Sequence, residues 1–446
     1  MQRTKLSFLI AALLAAPYSY ADDADLRARI DRLEAEVQAL KSELNQVNSK
    51  TEAIANQQEA AASAPVSAPA AAGASGTAAP AEAAGSAYGN TTIYGYGEIN
   101  YNHPRDSNQT QADLRRAVFG FGHRFDDDTR FNSEFEFEHA VTSQDDQGEA
   151  EVEQFYIDHR LAQNVNLKAG LFLMPFGLLN ESHEPTAYYG VERNFVETAI
   201  IPSTWREGGV GIYGSTEFGL AWDAGVTTGF DLAKWDPSST SDGRLSPLGS
   251  IHQELQLAKA KDLAVYGALN WRGTPGLVVG ASLFTGGAGQ GGQVNEAAAV
   301  PAVDGARVLL WDTHARWTPD RWDLSAVYTK GSISGTEDYN QFNGFVPTPI
   351  PKDFFGWYTQ AAYRLWESGK HSLSPFVRYE RYNTASAYEG LPATRSLSDT
   401  PAGTETVGTV GFNYQLNPNV VFKADYQTFD VDSSRDRFDL GLGLTY

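Results

Sequence analysis

The chain has 446 residues, 42 of them glycine, with 12% aromatic residues and no cysteine. The absence of cysteine excludes disulfides, thiolate metal sites and cysteine nucleophiles. The formal net charge of −21 argues against a nucleic-acid partner, because nucleic-acid binding requires a basic surface. The mean hydropathy is −0.36, and after the N-terminus no stretch reaches the roughly 18 apolar residues of a membrane-spanning helix.

Residues 1–21 have the pattern of a secretory signal peptide. Arg3 and Lys5 form its basic start, Leu6–Ala16 forms the apolar segment, and Ser19–Ala21 supplies a cleavage site of small residues. The alternative is a membrane anchor, but about eleven apolar residues are too few to span a bilayer.

Residues 22–54 carry the heptad spacing of an α-helical coiled coil, which we place in the periplasm. The a positions are Ile30, Val37 and Leu44, and the d positions are Leu26, Leu33, Leu40, Val47 and Ile54. This a and d pattern alone favours two strands. The segment Arg29–Glu34 resembles a motif of three-stranded coils, so we predict a trimer. A lone amphipathic helix is the alternative, but the apolar seam is too narrow for ordinary globular packing.

Residues 55–90 are dominated by Ala, Pro, Ser and Gly and have no periodic apolar pattern. This composition predicts a disordered, partly extended linker between the coil and the rest of the chain.

Residues 91–446 alternate apolar with polar or small side chains in segments of about ten residues. In 129–140 one parity holds Phe131, Phe135 and Phe137, and the other holds Arg130, Asn132, Glu134, Glu136 and Glu138. Because successive side chains of a strand point to opposite faces, one face is apolar and the other charged. We count sixteen such strands, joined alternately by short turns and long connections. The pattern predicts an all-β, 16-stranded antiparallel transmembrane β-barrel with water inside, preceded by the coiled coil.

The strand that ends at Tyr446 alternates apolar residues and closes on an aromatic side chain. It resembles the C-terminal signal that barrel-assembly machinery reads, although phenylalanine is the usual last residue. We therefore expect the barrel to lie in a bacterial outer membrane, in contact with lipid and lipopolysaccharide. Acidic loops could bind divalent cations beside lipopolysaccharide, or could serve only the solubility of exposed segments.

Six fragments between 113 and 214 resemble, in order and spacing, the phosphate-selective porin O/P family. They are Leu114–Gly120, Glu134–Phe137, Phe155–Asp158, Gly170–Gly177, Glu192-Arg193 and Pro202–Gly211. The similarity extends over about 91–446. It implies a sixteen-stranded, homotrimeric outer-membrane channel in which a long loop, here 175–207, folds into the lumen and narrows it.

The resemblance leaves the solute open. Phosphate-selective members carry arginine ladders and a lysine cluster at the constriction, whereas 175–207 contains only Arg193 and Arg206 as basic residues. Uniform strand alternation places ten basic side chains on the inner wall: Arg116, Arg124, Arg130, Arg160, Lys168, Arg272, Arg316, Arg364, Arg378 and Lys423. It places eight acidic ones there: Glu134, Glu136, Glu138, Asp158, Asp312, Asp323, Glu380 and Asp425.

This near balance predicts passive diffusion of small polar solutes, with at most a mild preference for anions such as phosphate. The pore and constriction candidates are Arg193, Arg206, Arg116, Lys168, Arg124, Arg160, Glu134 and Glu136. For each arginine the alternative is a wall salt bridge that holds the loop in place.

No catalytic residue, metal site or cofactor is predicted, so we do not expect an enzyme. Gly209–Gly214 matches G-x-G-x-x-G but lies within a predicted strand instead of opening a helix. His183-Glu184 lacks the second histidine of a zinc helix motif. The acids of 129–140 share one strand face, whereas glycoside hydrolysis needs carboxylates that flank a bond.

Three functions compete at this point. The first is a trimeric diffusion porin. The second is a structural envelope tether, in which the barrel anchors a coil and linker that reach toward the cell wall. The third is a barrel enzyme that acts on lipid or sugar and loses turnover when one polar residue is replaced.

Overall fold

The computed structural model describes residues 89–143, 146–235, 245–292, 303–341, 349–391 and 403–446. The predicted signal peptide, coiled coil and nearly all of the linker lie outside the described residues, so these three assignments stay predictions. Among the described residues, no helix is both long enough and apolar enough to cross a membrane.

Sixteen antiparallel strands form one closed sheet, which confirms the predicted barrel. They are β1 Thr91–Pro104, β2 Gln111–Arg124, β3 Thr129–Glu138, β4 Ala150–Ala162, β5 Val165–Leu173, β6 Arg206–Ser215, β7 Leu220–Thr227, β8 Ala264–Trp271, β9 Leu277–Gly287, β10 Arg307–Trp317, β11 Trp322–Ser334, β12 Pro351–Tyr363, β13 His371–Tyr388, β14 Glu405–Asn417, β15 Val420–Phe429 and β16 Arg437–Thr445. After a short break β12 continues as Trp366–Ser368, which also pairs with β13. Each strand pairs with its sequence neighbours, and β1 pairs with β16 to close the barrel.

Helices are short and lie in the connections. They are the 3₁₀ turns Ser107–Gln109, Leu232–Lys234 and Ser433–Arg435, the π-helical turn Val196–Ile200 and the α-helix Glu337–Gln341. Connections at one end of the barrel are tight turns such as 125–128 and 163–164, and those at the other end are long. This asymmetry agrees with the sequence pattern and is typical of outer-membrane barrels.

Apolar side chains cover the outside of the barrel, where lipid replaces water as the solvent. Phe119 and Phe137 lie on neighbouring strands, 43% and 46% exposed, with their rings edge to face at 6.2 Å. Glu136, one residue away on the other face, is only 2% exposed. The period of two therefore separates a lipid-facing surface from a polar interior, as predicted.

Register shifts break this alternation at several points, and two of them, in β2 and β4, lie beside the inward-facing charges. Glu98 pairs with Arg116 but Ile99 pairs with Leu114, so Arg115 is an extra residue in β2. Glu134 pairs with Gln154 but Phe135 pairs with Val152, so Glu153 is an extra residue in β4. A bulge shifts the side chains beyond it to the opposite face. The inventory based on uniform alternation was therefore incomplete.

The interior is not entirely polar, which departs from the simple picture of a water-filled charged barrel. An inner core of fully buried apolar residues packs between inward-folded loops and the wall; it includes Phe172, Phe176, Ile200, Trp205, Phe230 and Phe284. The Trp205 ring lies 5.0 Å from Phe176 and 4.9 Å from Phe284 of β9. Aromatic burial of this kind fixes loop position strongly.

Candidate functional site: the inward loop and the inner wall

Residues 174–205, which we call the inward loop, connect β5 to β6 and cross the barrel interior. Asn180 ties its two ends together. Its Nδ2 donates to the carbonyls of Met174 at 2.7 Å and Trp205 at 2.8 Å, and its Oδ1 accepts from the Trp205 amide at 2.7 Å. Because this amide is buried and fully bonded, it fixes where the loop leaves the wall.

Wall carboxylates hold the middle of the inward loop by accepting from its backbone amides. Asp312 of β10 accepts from Gly177 at 3.3 Å, Glu380 of β13 from Phe195 at 2.7 Å, and Asp425 of β15 from Val191 at 2.6 Å. These three acids belonged to the predicted lumen inventory. The structure places them inside, but as anchors of the loop rather than as solvated wall charges.

Glu197 organises the tip of the inward loop. Its carboxylate accepts from the amides of Leu178 at 2.5 Å and Leu179 at 2.8 Å, and from the Tyr358 hydroxyl of β12 at 2.8 Å. Gly177 has a φ of 62°, and a Cβ there would lie 2.2 Å from the Glu197 carboxylate. Only glycine therefore fits this turn without displacing Glu197.

Arg193 and Arg206, the two basic residues predicted at the constriction, are both buried and bonded within the protein. Arg193 donates to the hydroxyls of Ser203 at 2.7 Å and Thr204 at 2.9 Å, and to the His183 carbonyl at 3.1 Å. Arg206 contacts Glu151 at 2.5 Å and Glu254 at 3.0 Å. Arg206 thus makes ion pairs of the kind that the alternative describes, whereas the three named partners of Arg193 are uncharged groups within the inward loop itself.

Arg116 and Lys168 also have carboxylate partners on the wall. Arg116 is surrounded by Glu98 at 2.8 Å, Glu136 at 3.1 Å and Glu138 at 3.4 Å. Lys168 pairs with Asp223 at 2.5 Å, and its ammonium lies 4.4 Å from the centre of the Phe172 ring. Each cation is thus locally neutralised.

The remaining candidates lie in two separate places. Arg160 pairs with Asp128 beside the short turns, and Arg124 is exposed at the same end, opposite Arg130. Glu134 and Glu136 lie buried on β3 beneath the inward loop, where Glu134 accepts from Gln154 at 2.5 Å. The eight predicted residues therefore do not form one constriction.

A cavity of about 600 Å³ lies between β1, β2, the inward loop and the connection before β16. Its charged lining residues are Glu98, Asp106, Arg115, Arg116, Glu192, Arg193, Asp432, Arg435 and Arg437. Arg115, Arg435 and Arg437 were missed from the sequence. Arg115 enters the interior only because of the β2 bulge, and the pairing that creates a bulge leaves no simple trace in the sequence.

The pKa values of titratable groups in the inward loop are shifted in different directions. Burial opposes ionisation of Glu192, but Arg437, Arg115 and hydrogen bonds from two asparagines hold its pKa below the usual value. Burial raises the pKa of Glu181 to about 7, with Asp223 adding to the effect and Lys168 opposing it. Burial lowers the pKa of His183 well below its ordinary value, aided by Arg193, so its ring is neutral.

The family model of phosphate-selective porin O and P matches residues 86–437. The chain belongs to this family. This porin is also 30% identical over 374 residues to a protein of Aquifex aeolicus (strain VF5) described as uncharacterized, which covers 80% of this chain and 79% of that relative.

Two solved outer-membrane proteins are similar to this porin at low sequence identity, and the likeness to OmpF shows the shared fold. Salmonella typhi OmpF in complex with daunomycin aligns with a TM-score of 0.52 and 15% identity, over 80% of this chain and 97% of that one. The outer membrane channel DcaP of Acinetobacter baumannii aligns with a TM-score of 0.49 and 12% identity, over 80% and 97% of the two chains. Family and fold together identify an outer-membrane transmembrane β-barrel with a channel role.

Proposed function

We propose that this porin is a homotrimeric channel through which small polar solutes diffuse passively across the outer membrane. The observation that carries the proposal is the inward loop, which lies inside a closed barrel and is bonded to β10, β13 and β15, so that it narrows the lumen. The predicted three-stranded coil at 22–54 supports the trimer.

Charge on the inner wall argues for weak ion selectivity. A ring of like charges lowers the barrier for ions of opposite sign. Here Arg116, Lys168 and Arg206 each contact a carboxylate within 3.4 Å, which removes most of their field from the solute path. The β4 bulge also turns Glu151 and Glu153 toward the interior. The described wall is therefore richer in acidic residues than the inventory predicted from uniform strand alternation.

The arginine-lined cavity favours a second candidate, a path for small anions such as phosphate. Arg115, Arg435 and Arg437 line it, although Arg437 contacts Asp439 at 2.9 Å and Arg435 lies 4.4 Å from the Phe429 ring centre. Arg115 is the residue whose charge is best placed to act on a solute, because among the described residues it forms no ion pair within 4.0 Å, although its charge also acts on Glu192 across the cavity.

The test is the reversal potential of the purified full chain in a planar bilayer under a KCl gradient. We expect a value near zero or slightly toward cations, with conductance steps in groups of three. A clear anion preference that phosphate competes, and that Arg115→Gln abolishes while the exposed-turn control Arg321→Gln does not, would instead favour the anion channel. Absence of conductance would contradict the channel function and favour the envelope tether.

A further inference from the structure

Three buried side chains from distant parts of the chain converge beneath the inward loop. Glu134 comes from β3, Glu153 from the bulge of β4, and His183 from the inward loop; they are 8%, 0% and 4% exposed. One ligand atom of each lies within 4.8 Å of the others. No metal site was predicted from the sequence, because uniform alternation points Glu153 outward and only the bulge turns it inward.

The histidine ring presents a free lone pair to this cluster. Its Nδ1 lies 2.9 Å from the Asn180 carbonyl, which can only accept, so Nδ1 carries the proton. Its Nε2 is buried, has no hydrogen-bond partner, and lies 3.8 Å from Glu153 Oε1. A carbonyl that accepts from the other ring nitrogen, and so fixes the tautomer, is the usual support of a metal-bound histidine.

The two carboxylates lack a basic partner. Glu134 accepts from Gln154, and Glu153 accepts from the Tyr96 hydroxyl at 3.2 Å. The nearby Arg116 is engaged with Glu98, Glu136 and Glu138. Among the described residues neither Glu134 nor Glu153 forms an ion pair with a lysine or arginine, so ionising both buried carboxyl groups would require another cation.

We propose that Glu134, Glu153 and His183 bind a divalent transition-metal ion such as Zn²⁺, which fastens the inward loop to β3 and β4. Two carboxylates and one neutral imidazole form the mixed oxygen and nitrogen set that Zn²⁺ accepts, with a fourth position left for water. Calcium and magnesium prefer oxygen ligands alone.

The geometry needs little adjustment to hold an ion. In the tetrahedral geometry of Zn²⁺, ligands at about 2.1 Å from the ion lie about 3.4 Å apart. Closing from the 4.8 Å limit therefore takes a shift of at most about 0.8 Å for each ligand atom, which side-chain rotations can supply. The ion would replace the shared proton that two adjacent buried carboxyl groups otherwise need, and it would join the loop to the wall at a point far from the anchors on β10, β13 and β15.

The test is the zinc content of the full-length protein, stripped with chelator, dialysed against Zn²⁺ and measured by mass spectrometry. We expect one ion per chain in the wild type. His183→Gln and Glu153→Gln should weaken binding at least about tenfold, since even the loss of a residue that only hydrogen-bonds to a metal ligand has an effect of this size. His314→Gln is the matched control: it is equally buried, but its nitrogens are engaged by Asp312 at 2.6 Å and Asn270 at 2.7 Å.

A second measurement uses only the wild type, in case a variant fails to fold. X-ray absorption of the zinc-loaded protein should give an oxygen-rich shell with a single imidazole. The proposal would be overturned if the wild type held no zinc, or if folded His183→Gln still bound zinc. It would also be overturned if X-ray absorption showed two or more imidazole ligands. Conductance in the bilayer is a separate readout, so loss of the metal site would leave the channel function standing.

Discussion

The Asn180 side chain occupies the place of a strand partner for Trp205, accepting from its amide at 2.7 Å and donating to its carbonyl at 2.8 Å. One amide thus continues the β5–β6 pairing beyond Leu173 and Arg206. The loop that narrows the barrel begins at this point, so this neutral side chain adds to the backbone bond from Met174 to Trp205 in setting where the loop leaves the wall.

Asn180→Asp should release the inward loop. The carboxylate loses both donors and faces the carbonyls of Met174 and Trp205, so we expect the free energy of unfolding to fall by about 3 kcal/mol or more. Urea unfolding in detergent and proteolysis within 181–204 measure this. Asn419→Asp, an exposed turn residue that donates to the Thr445 carbonyl at 3.1 Å, is the control and should change little. Equal effects in the two variants would contradict the prediction.

Gly177→Ala should displace Glu197 and loosen the tip of the loop. A Cβ at this position meets the Glu197 carboxylate at 2.2 Å and Ile201 at 3.2 Å. Gly369→Ala is a matched control, because its φ of 61° is nearly the same and no atom lies within 4 Å. Both variants carry backbone strain of about 1–2 kcal/mol. Only Gly177→Ala should raise conductance or its noise in single-channel recordings.

Arg116→Met should destabilise the barrel and shift ion selectivity. It leaves the buried carboxylates of Glu98 and Glu136 without their partner, at a cost of about 3–5 kcal/mol. Urea unfolding should detect this loss, and the reversal potential should move toward cations. The exposed Arg321→Met serves as the reference; a wild-type unfolding curve for Arg116→Met would show that the cluster is not ion-paired in the membrane.

Glu181 should make selectivity depend on pH near neutrality. Its pKa is raised to about 7 from the ordinary value of 4.5, so it is neutral at low pH and becomes charged as pH rises through about 7. The groups that act on it are Lys168, Asp223, Arg272 and His314. Cation preference should therefore grow between about pH 6 and 8.

The sign of the stability effect is the opposite of that for a salt-bridged acid. The folded state holds the Glu181 proton more tightly than the unfolded chain does. The stabilising contribution of Glu181 to the free energy of unfolding is therefore fully present below about pH 4.5 and is lost as pH rises toward 7. Glu181→Gln should remove the part of the pH dependence that comes from this carboxyl group. The reversal potential measures it for ion selectivity, and urea unfolding measures it for stability. Glu217→Gln, at an exposed turn, should reproduce the wild-type profiles; profiles unchanged in Glu181→Gln would refute the assignment.

Deletion of 22–89 should leave single-channel conductance unchanged, because the described barrel begins at Thr91. If the coil is three-stranded, the deletion should weaken the trimer in detergent, as measured by sedimentation. Normal conductance together with a leaky or fragile envelope in cells would favour the tether as an additional function.

The sequence predicted what depends on local period. The sixteen strands, their alternating turns and the apolar outer face all follow from a period of two, which each strand carries by itself. The bulges at Arg115 and Glu153 could not be predicted, because they are defined by the partner strand. Uniform alternation assigned Glu153 to the outer face, so its inward-facing carboxylate was missed.

The role of the charged residues was also beyond local patterns. Asp425 and Val191 are far apart in sequence but 2.6 Å apart at the bonded atoms. The strand alternation predicted that Asp425 faces inward, but not that its carboxylate accepts a hydrogen bond from a backbone amide of the inward loop. The family resemblance implied that 175–207 folds inward, and the many apolar residues of 174–205 are the local signal that agrees with it.

The pairing of β1 with β16 also governs how the protein is made. Gly95 and Tyr446 exchange two backbone hydrogen bonds, at 3.1 and 2.9 Å, between strands at opposite ends of the barrel sequence. Until the ribosome has delivered β16, β1 keeps an open edge that any other nascent strand can join. Such long-range contacts form slowly. Safe biogenesis therefore requires that the whole polypeptide be escorted unfolded to its membrane, and that its two terminal strands be brought together only there.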